Sequence, residues 1–376
     1  MLGLYLHLPF CRVHCTYCPF AISTDIALQD RYVDALLQEI QCGAGNPAGE
    51  APPKAAPKID TIYLGGGTPS RTSIENLRRI VTAIRARFDV VPDAEFSMEA
   101  NPEDVNPESL AAWRDLGVNR LSIGVQSFHD DELRAIGRIH DAATARAAIA
   151  LAAGSGMRTN LDLILGLPLQ TRESFSRTLD EAIALGAGHL SLYMLDLDET
   201  TPLQVQVARG RVEVPDDDLV ASLYRAAIER LDQAGLAQYE ISNFARAGEE
   251  CRHNIRYWTR GEYHGFGLGA HSFIGERRFA NSRNIHKYID DWISGAASPE
   301  FSEDLGDGER RRETLFLGLR QTSGINYDQL VALCGQEAVE WVSRGLQDGW
   351  LRQDDARVAF TSSGFLLSND YISQLF

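Results

Sequence analysis

Short apolar runs alternate along the first half of the chain with longer stretches whose apolar positions recur every three or four residues. Leu2 to Leu8 reads as a buried strand. Leu28, Tyr32, Leu36 and Ile40 then mark one face of a helix from about Asp25 to Gln41. Thr61–Leu64, Glu95–Glu99, Leu121–Val125, Leu161–Leu165 and His189–Met194 read as further strands. Between them lie helical patterns at 74–84, 107–116, 131–136, 143–153 and 172–185. Asn106-Pro107 caps one of these helices and Gly117 closes it.

Strands alternating with helices imply parallel pairing through crossover helices. Two architectures remain, a doubly wound sheet and a barrel. The unusual residues fall just after or near the end of every strand: cysteines after the first, Gly65-Gly66-Gly67-Thr68-Pro69-Ser70 after the second, and Glu99-Ala100-Asn101-Pro102 after the third. Gln126 follows the fourth, Asp162 lies in the fifth, and Tyr193 ends the sixth. A flat sheet gathers only its central strand ends, whereas a barrel gathers them all on one rim. The expected fold is therefore α/β, a partial (β/α)6 barrel of the TIM type over residues 1–245.

Past residue 196 the pattern loosens. Pro202 to Pro215 reads as extended, 216–234 as a helix, and 238–244 as one more strand. Residues 246–300 form an extension rich in His, Gly and aromatic side chains. The Pro/Ala/Gly-rich run 43–58 reads as an exposed spacer, and the acidic, breaker-rich run 295–309 as a linker. Three helices and a hairpin over 301–376 make a small winged-helix-like domain. With a net charge of −16, that domain reads as a docking module, and nucleic-acid binding is disfavoured. No apolar run is long enough to span a bilayer, and no signal peptide is evident. Free cysteines then point to a reducing, cytoplasmic setting.

Cys11, Cys15 and Cys18 crowd into eight residues behind the first strand. Thiolates hold iron and zinc firmly. Three of them are one short of the four that usually close an iron–sulfur cluster, so one iron would stay open to a ligand that is not protein. Zinc with His14 as fourth ligand is the rival, but the separated second ligand pair usual in zinc motifs is missing. Cys42, Cys251 and Cys334 stand alone in the sequence. Glu99 could equally pair with an arginine, Arg138 could form an ordinary ion pair, and His253 could be a solvated loop histidine.

Pro9-Phe10-Cys11-Arg12-Val13-His14-Cys15-Thr16-Tyr17-Cys18 resembles the signature of radical S-adenosylmethionine (SAM) enzymes. The wider pattern is similar to the branch that holds oxygen-independent coproporphyrinogen dehydrogenase and the haem chaperones. The resemblance implies a 4Fe–4S cluster on the three cysteines, with the amino and carboxylate groups of SAM on the fourth iron. It implies that the reduced cluster cleaves SAM to methionine and a 5′-deoxyadenosyl radical. By the same resemblance Gly66, Gly67 and Thr68 cradle the methionine end of SAM, and Tyr5, Tyr17, Glu99, Gln126, Arg138 and Asp162 are further SAM contacts.

Two features favour the chaperone side of the branch. Pro19-Phe20 stands where the dehydrogenase pattern places a further cysteine, and the first strand starts at residue 2 without the dehydrogenase's extension. His253-Asn254-Ile255-Arg256-Tyr257-Trp258 is similar to the stretch tied to haem in that branch, which makes His253 and Tyr257 candidate haem contacts. The implied partners are haem and haem-acceptor proteins, with membrane-bound respiratory proteins as candidates. A tetrapyrrole radical enzyme is the alternative, and a non-enzymatic iron–sulfur scaffold a weaker one.

Overall fold

The computed structural model describes residues 1–43, 56–354 and 356–376. Most of the expected spacer at 43–58, residues 44–55, lies outside them.

Leu2, Leu4, Leu6 and Leu8 all turn to one side of the first strand and are buried, while Tyr5 and His7 turn to the other. That strict alternation gives β1 (Leu2–Leu8) an apolar outer face for helices and an inner face free for chemistry. The same logic builds β2 (Lys58–Gly66), β3 (Asp89–Ala100), β4 (Arg120–Gln126), β5 (Arg158–Leu165) and β6 (His189–Met194). These six pair in parallel, each with its neighbour in sequence. A consecutive order has no switch point, so all crossovers run the same way round. Side chains at or beyond the ends of all six strands line one cavity, as the curved arrangement requires. The partial barrel expected from the sequence is what forms.

The sheet continues past both ends of this core. β7 (Ala237–Gln238) and β8 (Asn243–Ala245) extend it antiparallel beyond β6. On the other flank lie β9 (Tyr263–Phe266), parallel to β1, and then β10 (His271–Ile274), β11 (Arg277–Ala280) and β12 (Phe301–Asp304), all antiparallel. Three expectations need correcting. The stretch 238–244 is not one strand but a turn flanked by two short ones. The run 295–309 is not merely a linker, because Phe301–Asp304 pairs with Arg277–Ala280 as the sheet's edge. Pro202–Ala208 is a helix rather than extended chain: Thr201 caps it, Pro202 occupies the first turn, and Leu203 is buried.

The helix Pro107–Leu116 forms as its end signals require. Asn106 and Ser109 make a reciprocal capping box, and Gly117 leaves in the left-handed region at φ 102°. The C-terminal unit runs helix Asp307–Leu319, β13 (Ile325–Asn326), helices Tyr327–Cys334 and Gln336–Gln347, then β14 (Leu351–Asp354) and β15 (Arg357–Phe360). Two short helices follow. This is the winged-helix-like order. It docks through Gln321, whose amide donates to the Trp258 carbonyl, and through backbone bonds to the 239–241 turn.

A set of small polar side chains lies inside the barrel. Thr61, Ser97, Ser122, Asn160 and Ser191 are all buried, one from each of β2 to β6. Asn160 donates to Ser122, Asp162 and Ser191, and Ser191 donates to Asn243. Apolar branched residues usually fill such interiors. Here Ser122, Asn160, Ser191 and Asn243 bond to one another instead.

Candidate functional site

The cysteine loop is held by its neighbours rather than by regular structure of its own. Thr16 donates its amide to the Ile136 carbonyl and accepts from the Leu203 amide, so the helix Pro202–Ala208 pins it from outside. Asp104 accepts from Arg12 at 2.7 Å and from Ser70 at 2.8 Å, tying the loop to the glycine-rich turn. Cys11, Cys15 and Cys18 are all half-buried free thiols on the wall of a cavity of about 470 Å³.

That cavity also takes in Tyr17, Gly66, Gly67, Thr68, Glu99, Gln126, Arg138 and Asp162. Residues from all six strand ends thus meet around the thiols. Tyr63, Asn101 and Ser122 line it as well. The sequence reading passed over Tyr63 and Ser122 because they lie within strands. The signal was period two: Tyr63 shares a face with Gly65, and Ser122 with Gly124 and Gln126.

The thiols fit a cluster. Thr68 donates its hydroxyl to Cys11 Sγ at 3.3 Å, and an Arg138 nitrogen lies 3.8 Å from Cys15 Sγ. Burial pushes the Cys11 thiol up to about 11 and raises Cys18, and the other thiols add to this. Such thiols give up their protons only to a strong cationic centre. Among the described residues no three His, Cys, Asp or Glu side chains converge on a single ion. A cluster, whose corners are spread over several irons, does not need them to. Arg138 anchors on Asn101 and the Gly124 carbonyl, and its Nε is buried without a partner.

Two carboxyls face the remaining space. Glu99 accepts from the Tyr63 hydroxyl and the Gly66 amide, both at 3.0 Å. Burial first, and then Asp162, pushes it up to about 8. Among the described residues no arginine bonds to it, so the ion-pair reading of this residue does not hold. Asp162 accepts from Ser122 and Asn160, and burial lifts it to about 6. Both values would fall beside a cationic ligand such as an ammonium or sulfonium. Gln126 sits at φ 67°, a left-handed backbone that a side chain adopts at a cost, on the cavity wall.

The glycines of the second turn have a further cause. A Cβ on Gly67 would stand 2.4 Å from the Pro9 carbonyl oxygen, and one on Gly66 would stand 2.7 Å from the His7 ring. The turn needs glycine to pass under the first strand's end, besides lining the cavity.

Three of the expected site residues lie elsewhere. Tyr5 turns to a neighbouring cavity, and Tyr257 lines that same one. His253 is fully buried, and its ring stacks on Tyr63 with centroids 5.2 Å apart. Its Nδ1 bonds with Thr61 at 2.9 Å and its Nε2 with the Tyr257 hydroxyl at 2.8 Å. Burial lowers its pKa to about 3, so the ring is neutral with one donor and one acceptor, both used. As placed it fastens the helix Arg252–Trp258 across the barrel floor; it is neither a solvated loop histidine nor a free ligand. Glu95 completes the fastening by accepting from the amides of Arg252 and His253.

Comparison with known proteins agrees with this geometry. The family model for the Radical SAM superfamily matches residues 5–182, and that for the HemN C-terminal domain matches residues 307–367. The heme chaperone HemW of Mycobacterium tuberculosis is 37% identical over 99% of this chain and 94% of its own. HemW of Bacillus subtilis is 34% identical over 98% of each. The solved structure of coproporphyrinogen III oxidase (HemN) from Escherichia coli, a radical SAM enzyme, superposes with a TM-score of 0.83 at 25% identity, covering 100% of this chain and 89% of that one. With the cysteine loop at the rim, the six-strand partial barrel and relatives matching from end to end, the chain belongs to the radical SAM superfamily and, within it, to the HemW family.

Proposed function

We propose that this protein is a cytoplasmic haem chaperone, which binds haem and hands it to acceptor proteins. The observation that carries the reading is the end-to-end likeness to relatives named heme chaperone. Cys11, Cys15 and Cys18 would hold a 4Fe–4S cluster, and the cavity beside them would take SAM. When bound, the cluster supplies a low-potential electron and SAM the sulfonium that receives it. The chain's own part is to keep that space dry and charged correctly. Thr68 and Arg138 steady the sulfurs, Glu99 and Asp162 face the cation, and the polar barrel interior orients what lies between.

A second reading is favoured by the superposition on HemN: a radical enzyme acting on a porphyrinogen side chain. One experiment divides the two. Anaerobically reconstituted protein is given SAM, reductant and coproporphyrinogen III, with haem titrated in parallel. The chaperone reading expects a saturable Soret change and no vinyl product. Product at a catalytic rate would overturn it.

A further inference from the structure

A second cavity, of about 360 Å³, adjoins the segment that follows the cysteine loop. That volume is within the usual range for cofactor sites, about 300–1,000 Å³. Phe20, two residues past Cys18 and 61% exposed, lines both cavities, so the segment that ends the cysteine loop is their common wall. If the first cavity is taken by the cluster and SAM, a third molecule has to sit elsewhere, and this is the adjoining space.

Its lining suits a flat, apolar, anionic molecule with a metal at the centre. Tyr5, Tyr257 and Tyr263 present aromatic surface, with Tyr257 and Tyr263 packed edge to face at 4.7 Å. Two imidazoles line it. His7 is committed: its Nε2 bonds with the Ala21 carbonyl at 2.8 Å and its Nδ1 with the Tyr5 hydroxyl at 3.1 Å. His271, at the start of β10, is exposed, and among the described residues neither ring nitrogen has a hydrogen-bond partner. Partial burial and the nearby Arg278 and Arg283 lower its pKa, which leaves the ring neutral with a free lone pair at pH 7. Arg283 also lines the space, exposed, and its guanidinium donates to a neutral partner, the Pro19 carbonyl, at 3.1 Å. In a chain of net charge −16, such a cation at a cavity mouth matches a carboxylate-bearing ligand.

We infer that this second cavity takes the haem, with His271 as the iron ligand, Arg283 at a propionate, and the three tyrosines against the macrocycle. The inference rests on the haem-chaperone reading and corrects its ligand, since His253 has no nitrogen to give. Tyr257 still lines this cavity, which explains how a motif on the floor helix can matter to haem without its histidine touching iron.

The test is a titration of the full chain with ferric protoporphyrin IX, read by Soret absorbance and by electron paramagnetic resonance. His271→Ala should weaken binding at least about tenfold and remove the imidazole signature, and free imidazole in the buffer should restore both. His271→Tyr should convert the spectrum to that of a high-spin phenolate. Arg283→Ala should weaken binding severalfold without changing the ligation spectrum. His286→Ala, at another exposed histidine, should change nothing. Both His271 variants are at an exposed position, so folding is not at issue. Haem bound normally by His271→Ala, with an unchanged spectrum, would overturn the site while leaving the chaperone reading intact. No saturable binding by the unaltered chain would overturn the reading itself.

Discussion

The Tyr257 hydroxyl lies 2.8 Å from Nε2 of His253, one helical turn back, and Thr61 meets the opposite ring nitrogen at 2.9 Å. The imidazole is a structural bolt between the floor helix and β2. His253→Ala should therefore destabilise the fold by roughly 2–4 kcal/mol, from lost packing and two stranded hydrogen-bonding groups. Urea denaturation measures this. The folded fraction should still bind haem at the same stoichiometry, and a full-stability variant that loses haem would contradict the placement.

Cys15→Ala should abolish the cluster. Iron and sulfide content, together with the near-ultraviolet and visible absorption of anaerobically reconstituted protein, report it. Cys42→Ala, at an exposed thiol outside the loop, is the matched control and should retain both. Equal iron in the two variants would count against the cage.

Glu99 gives a pH dependence with a definite sign. Its folded pKa, about 8, lies above its value in an unfolded chain. The folded state then holds the proton more tightly, so the stabilisation is full below the unfolded pKa and fades as pH rises through 8. Without SAM, the protein should lose stability between pH 5 and 9. Glu99→Gln should flatten that slope, gaining about 1 kcal/mol or more on the parent at pH 9. Parallel melting curves for both proteins across the range would refute the assignment.

Gln126 inverts a usual ranking. Alanine normally beats glycine through chain entropy, but a side chain in the left-handed region costs about 1–2 kcal/mol. At φ 67° the second effect wins. Gln126→Gly should be more stable than Gln126→Ala by about 0.5–1 kcal/mol, while both bind SAM more weakly than the parent. Thermal melts and equilibrium dialysis give the two readings.

Gly67→Ala places a methyl 2.4 Å from the Pro9 carbonyl oxygen, which is backbone and cannot swing aside. A loss of about 1–3 kcal/mol is expected, with lower cluster occupancy because the displaced strand end carries the cysteine loop. Normal iron content in a stable variant would show that the turn has slack.

Much of this architecture could be read from the chain, for identifiable reasons. Leu2–Leu8 was legible to the residue because its apolar run stops at Pro9, and His189–Met194 because it begins behind Gly188 and alternates apolar with polar positions. Asn106-Pro107 and Gly117 announced their helix because caps are local chemistry. Non-local features were not legible. Phe301–Asp304 is acidic and follows Pro299, so nothing in it signals a strand; the unpaired edge of Arg277–Ala280 makes it one. Pro202–Ala208 does carry local start signals in Thr201 and Pro202, but it is short with a single buried anchor, so its apolar periodicity is faint. For the site, the cysteine spacing and strand-end positions located the first cavity. The role of His253 was hidden because its partners, Thr61 and Glu95, come from strands far away in sequence. The second cavity was hidden for the same reason, being assembled from β1, the segment after Cys18, the floor helix and β9–β10.

The floor helix Arg252–Trp258 has one more consequence. Below the first cavity, Cys251 and Asn254 meet Tyr63, Ser122 and Tyr193 in a polar gap with room for about one water molecule. At that end the barrel is stoppered, since the side chains of the floor helix leave no space wider than a solvent molecule. A ligand seated in the first cavity would therefore enter and leave by the end that carries Cys11, Cys15 and Cys18.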